Sequence, residues 1–375
     1  RDRVLEDEVD RITHSTDESI FEGGTAGPVC FPISTEEVQS IMRIAQKFEH
    51  PVIPRGAGSG LAGGAVPLGA PIVVAMTEMK EIQEVDLDNR IAWVEPGVIN
   101  LELTDYLRPM GFHYAPDPSS QQICTIGGNV ANNSGGPHCL ADGVTDSHVL
   151  AIEVVLPDGE VCQFGGIDAE PTGLDLRGAF IGSEGTLGIA TKIAVRLTPN
   201  PQDVQTILIS FPTMRKAAET VSAVIAAGIV PAAMEAMDQR TIEVIENHIP
   251  SGYPTDVGAV LLIEVEGLPD GVEIETLRIC EVAENHEALE IRIAQSSWQR
   301  EALWKGRKGA FGASTYLAPN YYLHDTVVPR SELANVLDKV NQLAAANDLM
   351  LMNVFHAGDG NLHPLIVFDA EEEGT

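Results

Sequence analysis

Residues 54–64 read Pro-Arg-Gly-Ala-Gly-Ser-Gly-Leu-Ala-Gly-Gly, five glycines directly after the short apolar run Pro51–Pro54. Glycine has no Cβ and accepts positive φ. Such a loop is therefore either a plain glycine-rich turn or a cradle whose backbone N–H groups close around an anion such as a pyrophosphate. Gly58, Gly60 and Gly63 also spell G-x-G-x-x-G. That is the dinucleotide fingerprint of a Rossmann fold, provided a helix starts at the loop and points its N-terminus at the phosphates. The chain continues instead as Ala65-Val-Pro-Leu-Gly-Ala-Pro71, and two prolines and a glycine do not open a helix. The Rossmann reading fails, which leaves the turn or a phosphate cradle without a helix.

Three more glycine-rich polar stretches lie in the first 200 residues: Asp117-Pro-Ser-Ser120 leading to Thr125-Ile-Gly-Gly-Asn129, then Asn132-Asn-Ser-Gly-Gly136, then Gly182-Ser-Glu-Gly-Thr-Leu-Gly-Ile189. Each alone is an ordinary loop; four in one half suggest backbone donors aimed at one extended polyanion. None has the G-x-x-x-x-G-K-[ST] form of a nucleotidase P-loop. Lys and Arg number 23 against 55 Asp and Glu, a formal charge of −32. That balance argues against nucleic acid or an anionic membrane as the main partner, and an acidic substrate would need local positive potential. The densest basic patch is Arg300, Lys305, Arg307 and Lys308. Five scattered cysteines without a C-x-x-C argue against a disulfide framework, a zinc ribbon and an iron–sulfur cluster and make a reducing cytoplasm the default. The apolar runs are strand-sized, too short to span a bilayer, and the charged start Arg1–Asp7 is not a signal peptide.

The 375 residues suggest two domains, with the clearest break at Thr198-Pro-Asn-Pro201. Before it, Ser34-Thr-Glu-Glu37 reads as a capping box opening a helix. A second helix is expected over Asn100–Met110, with Leu103, Tyr106, Leu107 and Met110 inward and Gly111 as its stop. Strands are expected at Pro51–Pro54, Ile72–Met76, Val149–Leu156, Val161–Phe164 and Gly188–Leu197. Beyond the break, strands at Val204–Phe211, Val257–Val265, Leu289–Ala294 and Tyr321–Val328 alternate with helices at Met214–Ala227, Glu273–Asn285, Ser297–Phe311 and Glu332–Ala346. A hairpin over Met350–Phe368 closes the series. That alternation suggests an α+β domain with helices on one sheet face.

Gly358-Asp-Gly-Asn361 is a strong turn signal. Centring the turn there sets His356 opposite His363, and directly opposed residues share a sheet face with Cβ atoms about 5 Å apart. Two imidazoles so placed either bind one divalent metal or form a structural pair. Arg307 lies on the helix expected from Ser297, where a solvated face is the natural reading for Arg300, Lys305 and Lys308.

Taken together, Pro54–Gly60, Pro116-Asp-Pro-Ser-Ser120, Ile126-Gly-Gly-Asn129, Gly182–Ile189 and His356-Ala-Gly-Asp-Gly-Asn-Leu-His363 resemble a flavoprotein family. Its members include the FAD-linked subunit of glycolate oxidase, D-lactate dehydrogenase and D-2-hydroxyglutarate dehydrogenase. The likeness covers nearly the whole chain. It is strongest to the glycolate oxidase subunit, through Trp304-Lys-Gly-Arg-Lys-Gly-Ala-Phe-Gly312 and Asn353–Asn361. It implies an α+β chain: a two-subdomain FAD-binding domain of the PCMH/vanillyl-alcohol-oxidase type over 1–200, then an α+β substrate (cap) domain over 201–375.

The resemblance further implies non-covalent FAD held by Arg55, Gly56, Ala57, Gly58, Ser59, Gly60 and Leu61, with Gly56–Leu61 on the pyrophosphate. Pro116, Asp117, Ser120, Thr125, Gly127, Gly128, Asn129, Asn132, Ser134, Gly135 and Gly136 would contribute from the middle stretches, and Glu184, Gly185, Gly188 and Ile189 from the last. It makes His356 and His363 ligands of a divalent metal (Zn, Mn or Fe) near the flavin, and Arg307 the holder of the substrate carboxylate. Catalysis would then rest on Arg307, His356 and His363.

Relatives acting on dicarboxylates add a Thr and a Lys where this chain has Phe311 and Leu323, which favours a small monocarboxylate. Relatives carry Tyr-Gly at Asp142-Gly143. Their later Gly-Glu-His-Gly stretch, bearing another metal ligand and the base, is expected beyond Thr375. The implied activity is FAD-dependent oxidation of glycolate or D-lactate to the 2-oxo acid, with electrons passed to a non-NAD acceptor. The alternative is a catalytically silent flavin-binding subunit. Iron–sulfur and second flavin subunits are the implied partners, with a cytoplasmic location and peripheral membrane association through them.

Overall fold

Strand Val52–Arg55 runs straight into the glycine loop and lies parallel to strand Ile72–Ala75, with Val52 opposite Ile72 and Arg55 opposite Ala75. The ten residues between 61 and 70 contain bends and turns but no helix, as their two prolines require. These details come from a computed structural model, which describes residues 3–21, 23–167 and 173–372. The chain divides into two units: the chain to Gly136 with Asp142–Asn200, and Pro137–Ala141 with the chain from Pro201 onward.

In the first unit, Val4–Leu5, Val29–Cys30, Ile72–Ala75 and Val52–Arg55 form one sheet in that order. Helix Thr35–Lys47 covers it, burying Val38 and Met42 against Val74 and Met76. Ser34 caps this helix by accepting from the Glu37 N–H. Glu37 departs from the reciprocal capping box: its carboxylate accepts from the Ile33 N–H and pairs with Arg3. The second sheet is antiparallel, in the order Ile82–Asp86, Ile91–Val94, Ile189–Arg196, Val149–Val155, Val161–Gly165. Helix Asn100–Leu107 ends earlier than its sequence suggests, passing into a 3-10 turn at Arg108–Met110 because Pro109 supplies no N–H. Leu103 and Leu107 are buried in the core, whereas Tyr106 and Met110 face outward, contrary to the inward placement read from periodicity.

The second unit is an antiparallel sheet in the order Glu290–Ile293, Asp203–Phe211, Ala259–Gly267, Ala233–Asp238, Met350–His356. It then divides, towards Asn361–Leu362 and Thr326–Val327 on one branch and Pro364–Phe368 and Asn320–Leu323 on the other. Helices cover both faces, not one. Ile207, Ile209, Leu261, Ile263, Met234 and Phe355 face helices Met214–Ala226, Pro269–Glu284 and Leu333–Ala346. Leu208, Val260, Leu262, Met237, Met352 and Val354 face helices Gln239–His248 and Ser297–Ser314. The unbroken apolar run Ala259–Ile263 is the sequence signature of such a two-sided strand, since an amphipathic strand would alternate.

The second covered face depends on strand Ala233–Asp238 and helix Gln239–His248, which the periodicity did not reveal. Ala-Met-Glu-Ala-Met is rich in helix formers, and sheet burial on both sides overrides that propensity.

Candidate functional site

Two sets of residues stand out, one in each unit. In the first unit the four glycine-rich stretches converge. A Cβ on Gly60 would come within 4.0 Å of the Asn132 side chain, one on Gly64 within 2.8 Å of Glu184, and one on Gly136 would overlap the Asp117 carbonyl at 2.4 Å. Gly182 and Glu184 donate their N–H groups to Val130 and Ala131. Thr125 caps helix Ile126–Asn132 by accepting from the Gly128 N–H, and a Cβ on Gly56 would sit 2.6 Å from its hydroxyl. Gly58 adopts φ +75°, and a Cβ there would strike the Arg55 guanidinium. The positive φ favours glycine here, and the missing Cβ leaves room for the end of the Arg55 side chain. The Arg55 Nη1 is buried without a hydrogen-bond partner, a positive group left for an anion.

Several of the residues named from sequence have partners within the protein. The Asn129 side chain is buried, accepting from Asn100 Nδ2 at 3.0 Å and donating to Cys124 Sγ at 3.4 Å. Pro116 offers its carbonyl to Asn100 and Ser134 its carbonyl to Thr145. The Ser120 carbonyl closes a turn onto Ile123 and Cys124. Ala57 and Leu61 are exposed at the loop surface, and Ile189 is buried at the start of its strand.

In the second unit the parity of the sheet builds the site. Glu235 shares a face with Met237, and His356 shares one with Met352 and Val354, so both point towards helix Ser297–Ser314. That helix sends Arg307 inward, where it is completely buried. The Arg307 Nε donates to Glu235 Oε2 at 2.7 Å, and Nη2 lies 2.5 Å from the same oxygen without hydrogen-bond geometry. The other Glu235 oxygen contacts His356 Nδ1 at 2.7 Å. The Arg307 Nη1 has no partner. Of the neighbouring cations, Lys305 is exposed, while Arg300 and Lys308 are half-buried.

The hairpin register differs from the sequence expectation by two residues. His356 is opposed by Asn361, not His363, in line with Asn353 opposite Pro364 and Leu351 opposite Ile366. The turn is a 3-10 element at Ala357–Asp359 closed by Gly360 at φ +74°. A two-residue shift leaves each side chain on its original face, so the two imidazoles still meet, with ring centroids 4.9 Å apart. The strand expected over Tyr321–Val328 is interrupted, and Asp325 in the gap approaches His363 Nε2 at 3.5 Å. Neither ring nitrogen of His363 makes a hydrogen bond. Phe311 lies against the His363 ring at 5.9 Å, and Leu323 packs in the same apolar cluster as Phe311.

The electrostatics follow from burial. Desolvation would raise the Glu235 carboxyl, but Arg307 and His356 more than offset it and hold the group ionised. Burial lowers His363, which favours the neutral ring whose lone pairs can bind a metal. Burial also pushes Asp359 up to about 6. A carboxylate on one imidazole nitrogen leaves the other aimed outward, as in carboxylate–histidine–metal triads. The imidazoles of His356 and His363 are the groups of this hairpin that could hold a divalent ion.

Glu235 and Asp325 were missed by sequence reasoning. An acidic residue inside an Ala/Met run carries no local signal, and Asp325 lay inside an apparently continuous strand.

Residues 27–165 match the family model described as FAD binding domain, and residues 200–375 the one described as FAD linked oxidases, C-terminal domain. The chain is 42% identical over 346 residues to the glycolate oxidase subunit GlcD of Escherichia coli K12, covering 92% of this chain and 69% of that protein. Against GlcD of Bacillus subtilis it is 40% identical over 360 residues, with coverages of 96% and 77%. The D-lactate dehydrogenase of Anaerostipes hadrus is 32% identical, with coverages of 91% and 73%. Among solved structures, alkyldihydroxyacetonephosphate synthase superposes with a TM-score of 0.81 at 20% identity, covering 97% of this chain and 77% of that one. p-Cresol methylhydroxylase gives 0.79 at 16% identity, with coverages of 98% and 80%. At those identities the two structures establish the fold alone.

Proposed function

The chain belongs to the FAD-linked oxidase family, and from that premise we propose that it oxidises a small D-2-hydroxy acid, glycolate or D-lactate, to the 2-oxo acid. The observation that carries this reading is the buried Arg307, held by Glu235 and left with an unpartnered Nη1 beside two histidines.

A planar guanidinium is suited to a carboxylate, and Nη1 would donate to the substrate carboxylate and fix its orientation. His356 and His363 would hold a divalent ion (Zn, Mn or Fe), with Glu235 keeping the His356 Nδ1 proton in place. Phe311 and Leu323 present apolar surface where a second carboxylate would have to be desolvated. Arg55, Gly56–Leu61 and the loops at 116–136 and 184–189 would hold FAD in the first unit. When bound, FAD supplies the hydride acceptor and the ion a Lewis acid for the substrate hydroxyl. The substrate gives up its Cα hydride, its hydroxyl proton passes to a general base, and it leaves as the 2-oxo acid.

Oxygen, a quinone or an iron–sulfur protein would take the electrons onward. The word subunit in the names of the glycolate oxidase relatives supports association with other subunits; on the proposed reading these are an iron–sulfur and a second flavin subunit, at the cytoplasmic side of a membrane. No helix among the described residues is long and apolar enough to cross one. The alternative, a silent flavin-binding subunit, would leave this buried ionic constellation without a task.

Anaerobic titration tests the reading. Glycolate or D-lactate should bleach the oxidised flavin absorbance at roughly 450 nm, and D-2-hydroxyglutarate should do so more slowly. A flavin-loaded enzyme complex that none of the three reduces would refute the proposal.

A further inference from the structure

We propose that Glu235 is the positioning residue of this site, a single carboxylate that sets both the carboxylate-binding arginine and the metal-facing histidine. The inference rests on the function proposed above and adds to it a residue that touches neither substrate nor ion.

The two oxygens of Glu235 are divided between two tasks. Oε2 takes the Arg307 Nε at 2.7 Å, and Oε1 contacts His356 Nδ1 at 2.7 Å. Glu235 and Arg307 are both fully buried, so neither can turn to water for an alternative partner. Paired through Oε2 with the buried Arg307 guanidinium, the carboxylate can only accept at Oε1, so His356 carries its proton on Nδ1. In the neutral ring that leaves the lone pair on Nε2. On the other side, Nε and Nη2 of Arg307 both lie against Oε2, which leaves Nη1 as the nitrogen turned away from Glu235 and without a partner. The carboxylate thus selects which atom of each partner is available.

Three elements bring this about. Glu235 sits on strand Ala233–Asp238, Arg307 on helix Ser297–Ser314, and His356 directly across from Glu235 in the sheet register. Facing positions on adjacent antiparallel strands fix the Glu235–His356 contact through the backbone. The helix then has to present Arg307 at one height only. Glu264 lies on the same sheet face and accepts from Trp304 Nε1 at 2.6 Å, one turn before Arg307, which sets that height.

The test compares Glu235→Gln and Glu235→Asp with wild type in the flavin-loaded protein, using flavin content and thermal unfolding as fold controls. The amide of Glu235→Gln keeps the shape but loses the charge, and it cannot accept from both neighbours at once. The Zn²⁺ or Mn²⁺ dissociation constant, measured against a chelator, should weaken 10- to 100-fold, the usual cost of losing such a partner. KM for the hydroxy acid should rise together with it. The ¹⁵N shifts of the labelled imidazole in metal-free protein should move from the Nδ1–H form towards a tautomer mixture, which a loss of packing alone would not produce. If Glu235→Gln does not fold, Glu235→Asp decides: one methylene shorter, it cannot reach both partners, and metal affinity or KM should change at least tenfold.

Wild-type metal affinity, KM and tautomer in a folded variant would overturn the assignment while leaving the function intact. Wild type that binds no divalent ion, together with an Arg307→Lys variant at wild-type KM, would instead remove the functional reading and this assignment with it.

Discussion

Arg307 shows how much depends on one side chain. Its guanidinium spends Nε on Glu235 and keeps Nη1 unpartnered in a buried site. A lysine there keeps the charge but not the planar geometry, so it cannot contact Glu235 and a substrate carboxylate in the same arrangement. Arg307→Lys should raise KM and lower kcat/KM for the hydroxy acid 10- to 100-fold, roughly 1.4–3 kcal/mol of transition-state binding. Steady-state kinetics on the flavin-loaded enzyme checks this, and unchanged constants would place the substrate carboxylate elsewhere.

The closing hairpin carries the same logic to the element. Gly360 holds φ +74°, and a Cβ there would lie 2.3 Å from the Val328 carbonyl oxygen. The Val328 N–H in turn donates to the Gly360 carbonyl at 2.9 Å. The turn and the strand beside it therefore fit only without a side chain at this position. Gly360→Ala should cost about 1–3 kcal/mol of stability, the usual range for a strained backbone, and should weaken divalent-ion binding, because the turn sets where His363 follows His356. Denaturant unfolding paired with metal titration is the check. A stable variant with unaltered metal affinity would show that the turn does not govern the pair.

At the scale of the whole molecule three ionisation effects compete. The net charge of −32 repels itself, and protonating carboxylates relieves that repulsion. Asp359, raised by burial to about 6, binds its proton more readily when folded, so its contribution also favours the native state as pH falls through 6. Glu235 and Glu264 act in the opposite sense. Their burial alone would raise them, yet Arg307 and His356 for the first, and His138, Thr206 and Trp304 for the second, hold both below the usual carboxylate range. Groups lowered in this way stabilise the fold fully above the unfolded value of about 4.5, and that contribution is lost as pH falls further. The Tm of metal-free protein should therefore drop steeply below about 4.5. A Tm still rising at pH 3.5 would mean that relief of repulsion outweighs the buried pairs.

Local chemistry was readable in the chain itself. The glycine loop without a following helix, the Ser34 and Gly111 boundaries and the closing hairpin with its two histidines each depend on residues close together in sequence, where backbone sterics and turn preferences act directly. What sequence alone did not yield depends on partners far apart. Strand Ala233–Asp238 looked helical because its neighbours across the sheet, not its own propensities, make it a strand. With it were hidden Glu235 and the second helix-covered face. The hairpin register moved by two residues because the 3-10 turn with Gly360 replaced a symmetric one, yet period-two alternation kept both histidines together. Met110 faced outward beyond the point where Pro109 changed the helix, and Tyr106 fell outside the buried Leu103–Leu107 stripe. Sequence determined which groups were available; the packing of strands and helices on both sides of one sheet decided that a single buried carboxylate would join them.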